Sequence, residues 1–474
     1  MNLAFSLLSG VLLILLFPRF GWTWLAPVAL TPILISCCRE RSWVRRAVYG
    51  GAAGFVFWFG VCTWIQFVLE VHGGMGRWGG WGTFLLFAFL KGLHMALFAA
   101  LAGFVMPRVW ALPAVAALWT GIERTHGPLG FAWLDLGNAG IDMPLLLRLA
   151  PVTGVYGLSF VFAMLACALA LVVLRRPRRQ LAWLLAVVAL PFLPALPDPA
   201  AGTIAARVVQ PNVDTETDWT TERVTVLEQR MELLSHAPGV DLIVWPEVPA
   251  PFFPSTPEFR AFLTHVARDS NAPILFGGIS RTPEGAPLNS AFLAGSLGEV
   301  RDRYDKIKLV PFGEFVPEPF GFVNRITHEV GDYVPGSRIV IFDTNTHRLG
   351  AFICYESAFP DLVRQFTLNG AEVLMNLSND GYFGQSASRE QHLSLVRMRA
   401  AENGRWILRS TNDGITAVID PAGRVTDRMQ PYQEMAATMK YNFTRALTPY
   451  VHYGDWFAWG CLVIGLAAVL WGIR

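Results

Sequence analysis

The stretch Leu349-Gly-Ala-Phe-Ile-Cys-Tyr-Glu356 carries an apolar run straight into a thiol, a phenol and a carboxylate. A short apolar run that ends in chemistry-bearing residues reads as a buried strand opening on a crevice, because α/β sheets bind ligands at the carboxyl ends of their strands. The pattern recurs on either side. Leu242-Ile-Val-Trp-Pro-Glu247 ends on a carboxylate, and Val373-Leu-Met is followed by Asn376, Asn379 and Asp380. Strand patterns over 205–210, 242–245, 274–277, 291–294, 339–342, 349–353, 373–377, 407–410 and 416–419 alternate with helical patterns over 221–235, 257–270, 358–368 and 389–403. That alternation predicts a layered α/β domain.

Cys354 stands apart from the other five cysteines, all of which lie in long apolar stretches. A single thiol in the polar part of a chain is either an inert small core residue or a nucleophile. A nucleophile needs a base, and Glu247 is a candidate: Pro246 and Pro249 stiffen the backbone around it and fix where its carboxylate points. An ordinary loop glutamate is the competing reading. Lysine gives a sharper signal. The chain has four lysines against 34 arginines, and two of them, Lys306 and Lys308, fall in Tyr304-Asp-Lys-Ile-Lys-Leu-Val-Pro-Phe-Gly-Glu314. Where arginine is the default cation, lysine suggests a site that wants a compact ammonium. On a strand both would face one way, so periodicity leaves the choice between them open, with a solvated strand edge as the alternative.

Around this domain the sequence is strongly apolar, and its mean hydropathy is +0.39. Seven apolar segments crowd 3–17, 24–37, 47–69, 81–106, 109–122, 154–174 and 181–196, and an eighth covers 456–473. Several approach the ~20 residues that cross a bilayer. About eight transmembrane helices are therefore expected, in a membrane domain over 1–198 and a final span within 451–474. Residues 1–198 hold 14 Lys/Arg against 6 Asp/Glu, and the arginines gather near 39–46 and 175–179. The positive-inside rule makes those loops cytoplasmic, so an odd count of seven spans delivers residues 199–450 to the periplasm. Lys91 and His94 fall inside the fourth segment, where ionisable groups are costly and either pair between helices or function. Trp133 reads as an interfacial anchor first and a substrate contact second. The acidic balance of 199–450 argues against nucleic-acid binding. Neither zinc-ligand spacing nor a phosphate-cradling glycine loop occurs, so no metal and no cofactor are expected.

The motifs Trp-Pro-Glu247, Tyr304-x-Lys-x-x-Leu-Val-Pro-Phe-Gly-Glu314 and Ile-Cys354-Tyr-Glu together resemble the Glu–Lys–Cys triad of the nitrilase, or carbon–nitrogen hydrolase, superfamily. With the membrane segments and the stretches 376–384, 391–393, 398–400 and 411–420, the chain is similar to the apolipoprotein N-acyltransferase family. The resemblance implies an αββα sandwich beside a multi-span helical domain, in the bacterial inner membrane. It implies Glu247 as general base, Cys354 as nucleophile, and Lys306, eight residues before Glu314, as oxyanion stabiliser. Glu314, Glu356, Tyr355 and Asn379 would support the site, and Trp219, Trp133, Tyr382 and Phe383 would meet substrate. Tyr382 stands where the family often has tryptophan, and Ala132 where it often has proline. The implied partners are a phospholipid acyl donor, a diacylglyceryl lipoprotein acceptor and the bilayer, with the enzyme a monomer. A lid is expected over 312–334. The rival expectations are a membrane-tethered amidase using the same triad, and a non-enzymatic transporter or assembly factor.

Overall fold

The structure, a computed structural model, describes residues 1–129, 131–176, 178–198, 201–214, 217–315, 333–344 and 346–474. It divides into two compact units. One comprises Met1–Phe67, Arg77–Leu196 and His452–Arg474; the other comprises Val68–Gly76 and Pro197–Val451.

The second unit is built on two six-stranded sheets. Its strands in chain order are β1 (Ile204–Gln210), β2 (Leu242–Val244), β3 (Ile274–Arg281), β4 (Pro287–Ala294), β5 (Val300–Asp305), β6 (Ile341–Asp343), β7 (Arg348–Ile353), β8 (Val373–Ser378), β9 (Ile407–Thr411), β10 (Ala417–Ile419), β11 (Val425–Arg428) and β12 (Met435–Tyr441). One sheet runs β12-β1-β2-β3-β4-β5 and the other β11-β10-β9-β8-β7-β6. In the second sheet β7, β8 and β9 are parallel, with Phe352 opposite Asn376 and Asn376 opposite Arg409. This register sets the end of β7, where Cys354 follows, beside the end of β8.

The two sheets pack face to face through Val208, Val244, Leu275, Ala351, Ile353, Met375 and Leu408. Helices Thr221–Ser235 and Pro257–Ser270 cover the outer face of the first sheet, setting Leu227, Met231, Phe259 and Leu263 against Ile243, Trp245 and Phe276. Helices Pro360–Leu368 and Ser388–Asn403 cover the second through Val363, Phe366, Leu393 and Val396. The result is an αββα sandwich. Each such side chain, fully buried, contributes about 1.5–3 kcal/mol, so the two sheets are fixed firmly enough to hold a site at their ends.

The helical unit differs from expectation in its spans. Among the described residues three helices are long and apolar enough to cross a membrane: Gly76–Val105, Val155–Val173 and Trp456–Ile473. A fourth arises if Trp43–Val61 and Trp64–His72, bent by 63°, count as one broken span. The other expected spans are shorter. Asn2–Leu16 has 15 residues and Ala111–Arg124 has 14. The second segment contains Pro27 and Pro32 and forms only a nine-residue helix, Thr31–Arg39. The seventh breaks into Arg178–Leu184, Leu185–Val188 and Leu190–Phe192, with Pro191 and Pro194 at its end. Proline withholds a backbone donor and clashes with the preceding turn, which apolar composition alone does not register. Lys91 is paired: its Nζ donates to the Phe131 carbonyl at 2.9 Å and lies 4.9 Å from the centre of the Trp58 ring. Trp133 is 2% exposed, packed 5.1 Å from Trp64, and so is a core residue of this unit rather than an exposed anchor.

Candidate active site

Glu247 follows β2 in a turn pressed against β3. A Cβ on Gly277 would lie 2.6 Å from the Pro246 carbonyl oxygen and 2.7 Å from the Glu247 Cα, so the close approach requires glycine. Next to it Val248 has φ +27°, a strained value for a β-branched residue. Oε1 of Glu247 accepts from Lys306 Nζ at 3.0 Å and Asn289 Nδ2 at 2.8 Å, while Oε2 accepts from the Asn379 backbone N–H at 2.9 Å.

Lys306 sits just past the end of β5. Its ammonium bridges Glu247 and Glu314, reaching Oε1 of the latter at 2.9 Å, and the residue is only 1% exposed. Burial pulls its pKa down, but the carboxylates of Glu247 and Glu314 outweigh that and hold it well above the ordinary lysine range. Because β5 stops at Asp305, the strand alternation that equated Lys306 with Lys308 does not apply here. The Lys308 ammonium instead lies 5.3 Å from the centre of the Phe359 ring.

Cys354 opens a 3-10 turn, Cys354–Ala358, directly after β7. Its φ of +49° is left-handed, a conformation that costs a non-glycine residue about 1–3 kcal/mol and persists only where the surroundings impose it. Glu356 braces the turn from its far side. Its Oε2 accepts from the Ile353 N–H at 2.7 Å, and its Oε1 accepts from the Tyr304 hydroxyl and the Ile307 N–H, both at 2.7 Å. One carboxylate thus ties the cysteine turn to the lysine segment. Burial raises the Glu356 pKa despite these donors, and burial likewise pushes the Tyr304 phenol well up. For the Cys354 thiol, burial and then the Glu247 charge push the pKa up; Lys306 and a hydrogen bond with Ser378 oppose them without reversing the shift.

A second buried cluster lies behind the turn. Arg409 Nη2 donates to both Asp380 oxygens at 2.9 and 2.7 Å, and Ser378 Oγ donates to Asp380 Oδ1 at 2.9 Å. His392 joins Asp380 Oδ1 to the Cys354 carbonyl, each 3.0 Å from a ring nitrogen. Asp380 is buried, which alone would raise its pKa, but Arg409 and His392 depress it well below the usual carboxylate range. Gly414 admits this cluster, since a Cβ there would strike the Asp380 carboxyl group.

The structure therefore gathers Glu247, Lys306, Glu314, Cys354, Glu356 and Asn379 in one unit. Tyr355 is buried against Phe359 at 5.1 Å between ring centres. Phe383 is buried beside His392, whereas Tyr382 is 43% exposed and meets the His72 ring at 4.6 Å. Trp219 is 36% exposed just before the helix cap Thr220, and Trp133 belongs to the other unit. Of the expected lid, 316–332 lie outside the described residues. The sequence reading missed Asn289, whose Nδ2 also donates to Glu314 at 2.8 Å, and Arg409. Asn289-Ser290 inside the apolar strand Pro287–Ala294 was the signal for the first.

Both units match known protein families. Residues 204–446 match the carbon–nitrogen hydrolase family, which defines the class of the sandwich. Residues 9–168 match the apolipoprotein N-acyltransferase N-terminal domain. Apolipoprotein N-acyltransferase of Geobacter metallireducens is 32% identical, covering 98% of this chain and 94% of its own length. That of Methylococcus capsulatus is 32% identical over 99% and 94%, and that of Azotobacter vinelandii 34% over 76% and 72%. An amidase from Nesterenkonia sp. aligns in structure with a TM-score of 0.39 at 19% identity, covering 52% of this chain and 93% of its own. The chain belongs to the apolipoprotein N-acyltransferase family.

Proposed function

We propose that this protein moves a fatty acyl chain from a phospholipid to the α-amine of a lipoprotein's N-terminal diacylglyceryl-cysteine, through a thioester on Cys354. The observation that carries the reading is the Lys306 ammonium, buried and shared by Glu247 and Glu314 in the field of a thiol held in a left-handed turn. A thiol raised by burial is protonated at neutral pH, so it becomes a nucleophile only as a base takes its proton. Glu247 takes that proton while sulfur attacks the ester carbonyl, and Lys306 stabilises the oxyanion. Collapse breaks the ester C–O bond, and the lysophospholipid alkoxide leaves with the proton from Glu247. The lipoprotein amine then attacks the thioester and gives its proton to Glu247. The C–S bond breaks, the amide is released, and the thiolate recovers its proton.

Both substrates are lipids, which fits a catalytic unit flanked in sequence by apolar helices. We place that unit in the periplasm of a bacterial inner-membrane protein. Support comes from Arg474, just beyond the helix Trp456–Ile473: a cytoplasmic arginine there sets the preceding residues 199–450 on the opposite face. Protease added to spheroplasts should cut within 199–450; full protection there would reverse the orientation. The transfer itself is tested with purified protein, acyl-labelled phospholipid and a diacylglyceryl lipopeptide. The expected product is N-acylated lipopeptide; labelled fatty acid released without it would assign a hydrolase instead.

A further inference from the structure

His392 takes no part in the proton transfers above, yet it is fully buried and touches the nucleophile's own backbone. Its Nε2 lies 3.0 Å from the Cys354 carbonyl oxygen. A carbonyl only accepts, so Nε2 carries a hydrogen whatever the state of Nδ1. On the other edge of the ring, Nδ1 is 3.0 Å from Asp380 Oδ1 and 3.2 Å from Arg409 Nη2. Both of those groups are wholly buried and joined to each other through two contacts, so the ring has no freedom to turn away. Arg409 also donates from Nη1 to Asn376 and from Nε to the Ile415 carbonyl at 3.2 Å. Asn376 in turn donates to the Phe352 carbonyl at 3.3 Å, two residues before the nucleophile. The cluster thus grips the backbone of the β7 end at Phe352 and at Cys354.

A left-handed cysteine relaxes to ordinary backbone geometry unless something holds its carbonyl. We propose that His392 is the positioning residue of the nucleophile: its Nε2–H clamps the Cys354 carbonyl and keeps the thiol aimed, while Asp380 and Arg409 lock the ring. The proposal builds on the acyl-transfer reading, but its consequence for the thiol does not depend on the substrate. Relaxation of the turn displaces sulfur relative to Glu247 and Lys306, and a displacement of about 1 Å costs on the order of 100-fold in rate.

The test uses the full-length protein in detergent, with iodoacetamide as a substrate-independent probe of Cys354, read by mass spectrometry of the Cys354 peptide. Single-turnover acylation by a labelled phospholipid is measured in parallel. His392→Leu should slow both reactions by about 10- to 100-fold and lower kcat while leaving the phospholipid KM unchanged. His392→Gln, whose amide can reach the carbonyl, should recover to within about threefold, whereas the shorter His392→Asn should not. If His392→Leu fails to fold, the glutamine and asparagine variants carry the comparison. Wild-type alkylation in His392→Leu, or equal rates in the glutamine and asparagine variants, would overturn the proposal. Slow alkylation with glutamine rescue in a protein that transfers no acyl group would uphold the clamp and sink the transferase reading alone.

Discussion

Two buried charge clusters serve Cys354, and they are built on opposite principles. In the first, one ammonium faces two carboxylates, so Lys306, Glu247 and Glu314 together keep an excess negative charge in the thiol's field. In the second, Asp380 is matched by Arg409, and neither is exposed at all. An unbalanced cluster can take up a proton, whereas a balanced one resists any change of charge state. The contrast teaches where chemistry and rigidity are divided: proton traffic on the Glu247 side, backbone geometry on the Asp380 side.

Breaking the first cluster should cost the most. Lys306→Ala removes the buried ammonium that Glu247 and Glu314 share and should lower acyl transfer by about 10²–10³-fold or more. Lys308→Ala should stay within about threefold, since its ammonium rests on Phe359. Equal losses in the two would undo the assignment. Breaking the second cluster should show in stability before chemistry. Arg409→Met leaves a buried carboxylate uncompensated and should destabilise the domain by about 3–5 kcal/mol in chemical denaturation.

The same cluster sets a pH limit. Asp380 is depressed in the folded protein, so its contribution is complete above the ordinary aspartate value of 3.8 and is lost as pH falls below it. Stability measured against pH should drop on that acid limb, and Asp380→Asn should flatten it. On the Glu247 side the thiol's own titration is the readout. Burial and then Glu247 raise the thiol, so Glu247→Gln should shift the pH profile of iodoacetamide alkylation toward lower pH while turnover is lost. A shift the other way would remove Glu247 from the thiol's surroundings. Asn289→Ala should slow turnover about tenfold, as it strips one hydrogen bond from each carboxylate.

Much of the sandwich is legible in sequence because its central strands are continuous apolar runs, and helices Thr221–Ser235 and Pro257–Ser270 begin and end where their patterns do. The edge strands β5, β11 and β12 were not legible. β5 reads Val-Arg-Asp-Arg-Tyr-Asp, and its alternating charges on an exposed edge hide the strand. Its early end then misled the comparison of Lys306 with Lys308. Arg409 was hidden for another reason: an arginine inside the apolar strand Ile407–Thr411 makes sense only once Asp380 is seen beneath it. In the helical unit, composition marked apolar segments but not their breaks, and Val68–Gly76, read as the end of a span and a loop, groups with the catalytic unit.

The most direct test of the account is the mass of Cys354 after the purified protein meets a phospholipid without acceptor. The account predicts one acyl chain added as a thioester on the Cys354 peptide, absent in Cys354→Ala and discharged by a diacylglyceryl lipopeptide. Acyl transfer to the lipopeptide in Cys354→Ala, or an acyl group found on any other residue, would contradict it.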